Sequence, residues 1–145
     1  MSDQNLEATR RFFDVWNTGD LDALDEIMAD DFVDHDTYNP HASEGLEGTK
    51  KAIAMYRQAF SDLEMTMDAS VAVDDVVITR WHAEGTHDGE IMELAPTGNR
   101  GRGTHGISWT RFEDGKAVEG WTQWDVMAFM QDIGAVPSGQ EAATT

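Results

Sequence analysis

Two hydrophobic periods run along this chain, a helical one first and an alternating one later. From Asp3 to Asn17 apolar residues recur at helical spacing, with Leu6, Phe13 and Trp16 on one stripe and Phe12 at its edge. Thr18-Gly19 breaks the pattern, and Asp20 stands where it can cap a second helix carrying Leu21, Leu24, Ile27 and Met28. Phe32 to Asp36 then reads as a short strand. Its alternation puts Phe32, Asp34 and Asp36 on one side and Val33 and His35 on the other. Thr37 to Gly45 is a polar loop containing Asn39-Pro40. A third helix is expected over Thr49 to Ser61, burying Ile53, Tyr56 and Phe60.

Beyond Ser61 the period changes to two. Leu63, Met65, Met67, Ala69, Val71 and Val73 alternate with polar residues, so one face of that strand is buried. Asp74-Asp75 turns the chain into Val76 to His87, where Thr79, Trp81, Ala83, Gly85 and His87 share a face. Ile91 to Gly101, with Pro96 and Thr97-Gly98, is a loop long enough to form a lip over a pocket. Thr104 to Phe112 and Ala117 to Trp124 then flank Asp114-Gly115, a two-residue hairpin signal. Thr104, Gly106, Ser108 and Thr110 share one face, and His105, Ile107, Trp109 and Arg111 the other. On the partner strand Val118, Gly120, Thr122 and Trp124 oppose Glu119, Trp121 and Gln123. Asp125 precedes Val126, Met127, Phe129, Met130 and Ile133, and is placed to cap a short closing helix.

Helices first and antiparallel strands later give an α+β fold. Three main helices packed on a strongly curved antiparallel sheet, with a short C-terminal helix, form a cone-shaped α+β barrel. Such a cavity suits a small, mostly apolar ligand held by a few polar groups. One domain is expected over residues 1–135, followed by a disordered polar tail at 136–145.

The 145 residues suffice for one substantial core. The absence of cysteine removes disulfides, thiolate metal ligands and a Cys nucleophile. A net charge of −18 excludes nucleic acid as a partner, because phosphates would be repelled. Three Lys against 28 acidic residues fit either adaptation to high internal salt or an ordinary acidic domain. The chain shows no secretory leader and no membrane-length apolar run, so a soluble cytoplasmic protein without a membrane partner is expected.

Specific catalytic motifs are few. There is no G-x-S-x-G elbow, and no Gly-rich loop follows a strand and opens a helix. Gly101 to Gly103 reads as conformational freedom at a strand start, and Arg100 and Arg102 as partners of neighbouring carboxylates. Alternation separates His35 from Asp34 and Asp36, and His82, His87 and His105 form no helical His-x-x-x-His pair. No metal and no cofactor are therefore assigned.

The text GTHDGE at Gly85 to Glu90, APTGNR at Ala95 to Arg100 and RFEDGK at Arg111 to Lys116 carries a family resemblance. So do Glu119, Trp121 and Asp125, and NTGDLDALDEIMADDFVDHD at Asn17 to Asp36. Over residues 3–135 the chain resembles the SnoaL-like polyketide cyclase (ester cyclase) family of the nuclear-transport-factor-2-like superfamily. The resemblance implies the conical barrel, and metal-free, cofactor-free acid/base chemistry by an Asp on an enolisable ester. Aligning Arg111, Gly115 and Lys116 without gaps puts that Asp at Thr122, its accompanying His and Gln at Ser108 and Gly106, and an Asn at Asp34. All four positions carry other residues here, and Thr122 cannot abstract a proton near neutral pH.

Asp34 is the carboxylate that the resemblance places in the pocket. Enclosure by apolar groups would raise its pKa and suit it to proton transfer. The plainer alternative is that Asp34 caps a turn or binds backbone amides. His87, in the GTH text, is either a second catalytic group or a structural hydrogen bond at a strand end. Trp81, Gly106, Ser108, Thr122 and Trp124 complete the expected substrate-binding wall. The function expected is a cyclase-like lyase or isomerase, or a hydratase, acting on a small apolar or polycyclic substrate. The alternative is a non-catalytic ligand-binding module on the same fold. Apolar sheet surface at Trp109 and Trp121 needs covering, which points to a homodimer.

Overall fold

The computed structural model describes residues 2–100 and 103–136. The expected tail beyond Val136, and Gly101 and Arg102 of the glycine-rich stretch, lie outside the described residues. Helix α1 (Ser2–Thr18) leads into strand β1 (Met28–Asp34), then helix α2 (Gly45–Ala59). Strands β2 (Glu64–Val73), β3 (Val76–Glu84), β4 (Thr104–Glu113) and β5 (Lys116–Trp124) follow, and helix α3 (Val126–Asp132) closes the chain. The five strands form one sheet in the order β1-β5-β4-β3-β2. Helix α1 crosses β2 and β3, while α2 lies on β1, so the two helices roof the concave side.

The closed end of the cone is a core of Leu24, Ile27, Met28, Ile53, Val77 and Phe112. Leu24 and Ile53 are completely buried. Side chains of this size contribute roughly 1.5–3 kcal/mol each on full burial. At the open end Ala59, Phe60, Ile91, Phe129 and Ile133 form a second cluster, which ties α3 and the lip loop to the end of α2.

The two Asp-directed turns follow the sequence signals. Asp114 and Gly115 adopt φ of 52° and 80°, both left-handed, as a two-residue turn matching the strand twist requires. Asp125 caps α3, its Oδ1 accepting the Ala128 N–H at 3.0 Å.

Four features depart from the sequence reading. The expected second helix is a 3₁₀ stretch, Leu21–Glu26, and Asp20 makes no side-chain cap bond. Ile27 and Met28 are drawn instead into β1 pairing, with the Ala117 N–H donating to the Ile27 carbonyl at 2.9 Å. The sheet is mixed, because β1 runs parallel to β5 through Met28↔Ala117 and Asp34↔Gly120. These two strands lie far apart in sequence, so no hairpin imposes an antiparallel direction. Helix α2 starts at Gly45 rather than Thr49.

The fourth departure is a bulge in β2. The register shifts between Met67 and Ala69. One extra residue reverses the side of everything beyond it. Met65 is buried as expected, but Val71 and Val73 are 57% and 54% exposed on the convex face. Ser70 turns inward in their place and bonds Thr79.

Candidate functional site

Two rows of cross-strand neighbours build the concave wall. Trp81, Gly106 and Trp124 stand side by side on β3, β4 and β5, and Thr79, Ser108 and Thr122 form the next row. Gly106 has a steric reason. A Cβ there would lie 2.3 Å from Cζ2 of Trp81, so only glycine lets the indole lie flat across β4. In the second row the Trp81 Nε1–H donates to Ser108 Oγ at 3.0 Å, and Ser108 Oγ shares a hydrogen with Thr122 Oγ1 at 3.1 Å. Helix α1 adds Phe12, Phe13 and Trp16 to the wall, α2 adds Tyr56 with Phe60 just past its end, and α3 adds Phe129.

These walls enclose about 220 Å³. Sites for drug-sized ligands run to ~300–1,000 Å³, so this one suits a compact molecule. Aromatic rings dominate the lining, and they pack edge to face. Trp124 lies 6.5 Å from Tyr56, 6.2 Å from Tyr38 and 5.5 Å from Phe129.

Two carboxylates from the end of β1 reach this wall. Asp34 is held by two donors: the Asp36 N–H at 2.8 Å and Asn39 Nδ2 at 3.0 Å. Asp36 Oδ1 accepts the Tyr38 N–H at 3.0 Å and the Trp124 Nε1–H at 3.4 Å. Burial pushes the Asp36 carboxyl above the ordinary carboxylate range. The Tyr38 and Trp124 donors oppose that push, and the charge of Asp34 adds a smaller rise. The Tyr56 hydroxyl is pushed up to about 12, by burial first and then by the charge of Asp36. It therefore remains a neutral phenol at physiological pH. At the mouth Arg100 is engaged by Asp62 at 3.1 Å and Glu84 at 3.4 Å.

Asp34, Trp81, Ser108, Thr122 and Trp124 all lie on the cavity wall. Gly106 sits behind the Trp81 ring and serves the wall by its size. His87 lies elsewhere. It is buried beyond the end of β3 with its ring against Phe60, outside the cavity lining. Its Nδ1 meets Thr97 Oγ1 at 3.0 Å, and its backbone exchanges hydrogen bonds with Gly98 and Asn99. These contacts clasp the lip loop, whose Asn99 and Arg100 reach the mouth.

Asp36 and Tyr56 were the residues sequence reasoning passed over. The alternation already put Asp36 on the side of Asp34, which was the available signal. On the convex side His35 stacks on Trp121 and bonds Glu119, and His82 bonds Asp68 beside His105. Among the described residues, no group of three or more His, Cys, Asp or Glu is placed to hold a metal ion. No helix among them is long and apolar enough to cross a membrane.

A sheet curved into a cone, roofed by helices around an aromatic cavity with polar groups at few points, defines the nuclear-transport-factor-2-like class of α+β proteins. Within that class the chain belongs to the SnoaL-like polyketide cyclase family, whose sequence model matches residues 6–133. Solved structures agree. TsrD from Streptomyces laurentii superimposes with a TM-score of 0.83 at 23% identity, over 94% of this chain and 98% of its own. IdmH from Streptomyces antibioticus, a candidate polyketide cyclase, gives 0.77 at 30% identity over 90% and 99%. AclR from Streptomyces galilaeus, a candidate hydroxylase, gives 0.83 at 25% identity over 99% and 89%. No curated protein sequence matches the chain.

Proposed function

We propose that this cyclase-related protein performs cofactor-free acid/base chemistry of the cyclase or isomerase type on a compact, largely apolar, enolisable substrate, with Asp36 carrying the proton. The observation behind this is a half-buried carboxyl on an aromatic wall, its pKa raised by burial. A group titrating closer to the working pH both takes and returns a proton more readily. Asp34, fixed by Asn39 and the Asp36 N–H, is a positioning residue in this reading, since it shapes the loop that carries Asp36. At the position where ring-closing relatives have their Asp, Thr122 is bonded to Ser108 and offers no titratable group. The family match and the likeness to IdmH support the reaction class.

The test is hydrogen–deuterium exchange at the activated C2 position of α-tetralone in heavy water. Asp36→Asn should slow protein-catalysed exchange by about 10²–10⁴-fold while the protein stays folded. Exchange at the wild-type rate in this variant overturns the assignment. A wild-type protein that binds such ketones without exchanging them is a binding module instead.

The same reading takes the convex face for contact between two copies of the chain. Ile107, Trp109 and Trp121 are 53%, 47% and 38% exposed there, beside Val71 and Val73. Large exposed apolar patches mark interaction sites.

A further inference from the structure

A count of hydrogens in the second wall row identifies what the substrate must present. The Trp81 indole has one hydrogen and can only donate. Ser108 and Thr122 each bring one hydroxyl hydrogen. The Trp81–Ser108–Thr122 chain therefore holds three hydrogens but makes two bonds, Trp81 to Ser108 and Ser108 with Thr122. Whichever way the second bond runs, one hydroxyl hydrogen is left over. Both oxygens belong to the cavity wall, and among the described residues neither hydroxyl makes a further hydrogen bond.

The direction of the row strengthens that leftover donor. A hydroxyl that accepts a hydrogen bond donates more strongly in turn. Ser108 accepts from the indole, so the favoured order runs from Trp81 through Ser108 to Thr122, and the Thr122 hydrogen is left for the cavity. An acceptor must meet it. An anionic acceptor is disfavoured, because Asp34 and Asp36 line the same cavity and Arg100 at its mouth is engaged by Asp62 and Glu84. A neutral carbonyl oxygen fits.

We infer that the Ser108–Thr122 hydroxyl pair is the hydrogen-bond donor for the carbonyl oxygen of a neutral ketone, aldehyde or ester that carries an α-hydrogen, and that it holds the enolate formed from it. The inference deepens the reading proposed above and rests on its view of the cavity as the site of an enolisable substrate. Thr122 and Trp124 are two residues apart on one face of β5, about 6.6–6.8 Å along the strand. Trp124 holds Asp36. The ionised Asp36 carboxylate takes the α-proton, and the C–H electron pair becomes the enolate double bond. The carbonyl π pair moves onto oxygen, whose new charge tightens the hydroxyl hydrogen bond. Return of the proton reverses each change. Interactions stronger in the charged state than in the ketone are those that accelerate the step.

The test compares α-tetralone with tetralin, which has nearly the same shape and no acceptor. Tryptophan fluorescence follows their binding to the full chain, and infrared spectroscopy follows the C=O stretch of bound ketone. Wild type should prefer the ketone by about 3- to 10-fold, as one net hydrogen bond implies. Its C=O stretch should be lowered relative to the ketone in hydrocarbon solvent. The Ser108→Ala/Thr122→Val variant, with Trp81→Phe added so that no freed indole N–H replaces the hydroxyl donor, should lose both the preference and the shift while still binding tetralin. Thr122→Ser, which keeps a hydroxyl, should keep both. Equal binding of the two probes by wild type overturns the inference, as does a preference that survives the triple variant, or no binding of either probe. Asp36→Asn separates the two ideas: it should slow proton exchange by about 10²–10⁴-fold yet preserve the ketone preference and the shifted stretch.

Discussion

The two faces of the β4–β5 hairpin are built from the same kinds of residue and do opposite things. On the concave face Gly106, Ser108, Thr122 and Trp124 interlock with Trp81, and the indole hydrogens of Trp81 and Trp124 end on Ser108 and Asp36. One residue away on each strand, Ile107, Trp109 and Trp121 stand exposed. Tryptophan therefore has no single meaning in this sheet. Inside, its N–H belongs to a hydrogen-bonded wall that leaves one hydroxyl hydrogen facing the cavity; outside, its ring is bare apolar area beside the His35 stack. A fixed donor left open in a cavity favours one orientation of a ligand, whereas bare apolar area favours whatever covers it.

The sharpest way to break the concave face is to fill it. Gly106→Val would push two methyl groups into the ring of Trp81, because even a Cβ lies 2.3 Å from it. Overpacking of this kind costs about 1–3 kcal/mol. Chemical denaturation should show that loss, and tetralin binding should weaken with it. Unchanged stability would mean that the Trp81 ring moves aside without penalty.

A smaller effect is expected at the lid of the same cavity. Asp125→Ala removes the acceptor of the Ala128 N–H and should cost about 1 kcal/mol in the same experiment. Asp125→Asn should restore most of it, since Asn caps as well as Asp. A variant as stable as wild type would show that packing of Phe129 alone holds α3.

How much of this contrast was legible in the sequence differs from element to element. Strand alternation separated the two faces of β4 and β5, because the side-chain period is fixed by the pleat. The same rule misled in β2, where a single extra residue at Asp68 sent Val71 and Val73 outward. Nothing local in that stretch announces a bulge. The direction of β1 was also hidden, since pairing with a strand more than eighty residues away is a tertiary choice. In the site, the resemblance directed attention to Asp34 and the alternation to Asp34 and Asp36 equally. The loop geometry tells them apart: Asp34 accepts from Asn39 and the Asp36 N–H, whereas Asp36 accepts from the Tyr38 N–H and the Trp124 indole. His87 shared its face pattern with Trp81, but β3 ends at Glu84 and alternation loses its force there.

Asp36 also distinguishes the faces through pH. Its raised pKa means that the folded state holds the proton more tightly than the unfolded chain. Its contribution to stability is therefore complete below the ordinary carboxylate pKa and is lost as pH rises through the raised folded value. On the convex face Glu119 behaves oppositely. His35 first and Arg111 second lower its pKa, so its contribution is lost as pH falls. Asp36→Asn should thus match wild type in acid and become relatively more stable as pH rises through that window. Thermal unfolding across a pH series measures this. A constant difference between the two proteins would remove Asp36 from the set of groups that titrate on folding.

The smallest change in monomer stability belongs to the convex face, together with a large change in assembly. Trp109→Ser with Trp121→Ser removes two rings that are 47% and 38% exposed, and each is half free of packing to lose. Exposed substitutions away from special features stay within about 0.5 kcal/mol. The exception to watch is the His35 stack on Trp121, 4.8 Å between centroids, though the His35–Glu119 hydrogen bond at 2.8 Å does not need the ring. If two copies meet on this face, sedimentation should show wild type as a dimer at micromolar concentration and the double variant as a monomer. Binding of α-tetralone inside the cone should be unaltered, because Trp81, Ser108 and Thr122 point the other way. A wild-type monomer, or a variant that still dimerises, places self-association elsewhere. Loss of ketone binding in a well-folded variant would show that the two faces are coupled, and the separation drawn between them would fall.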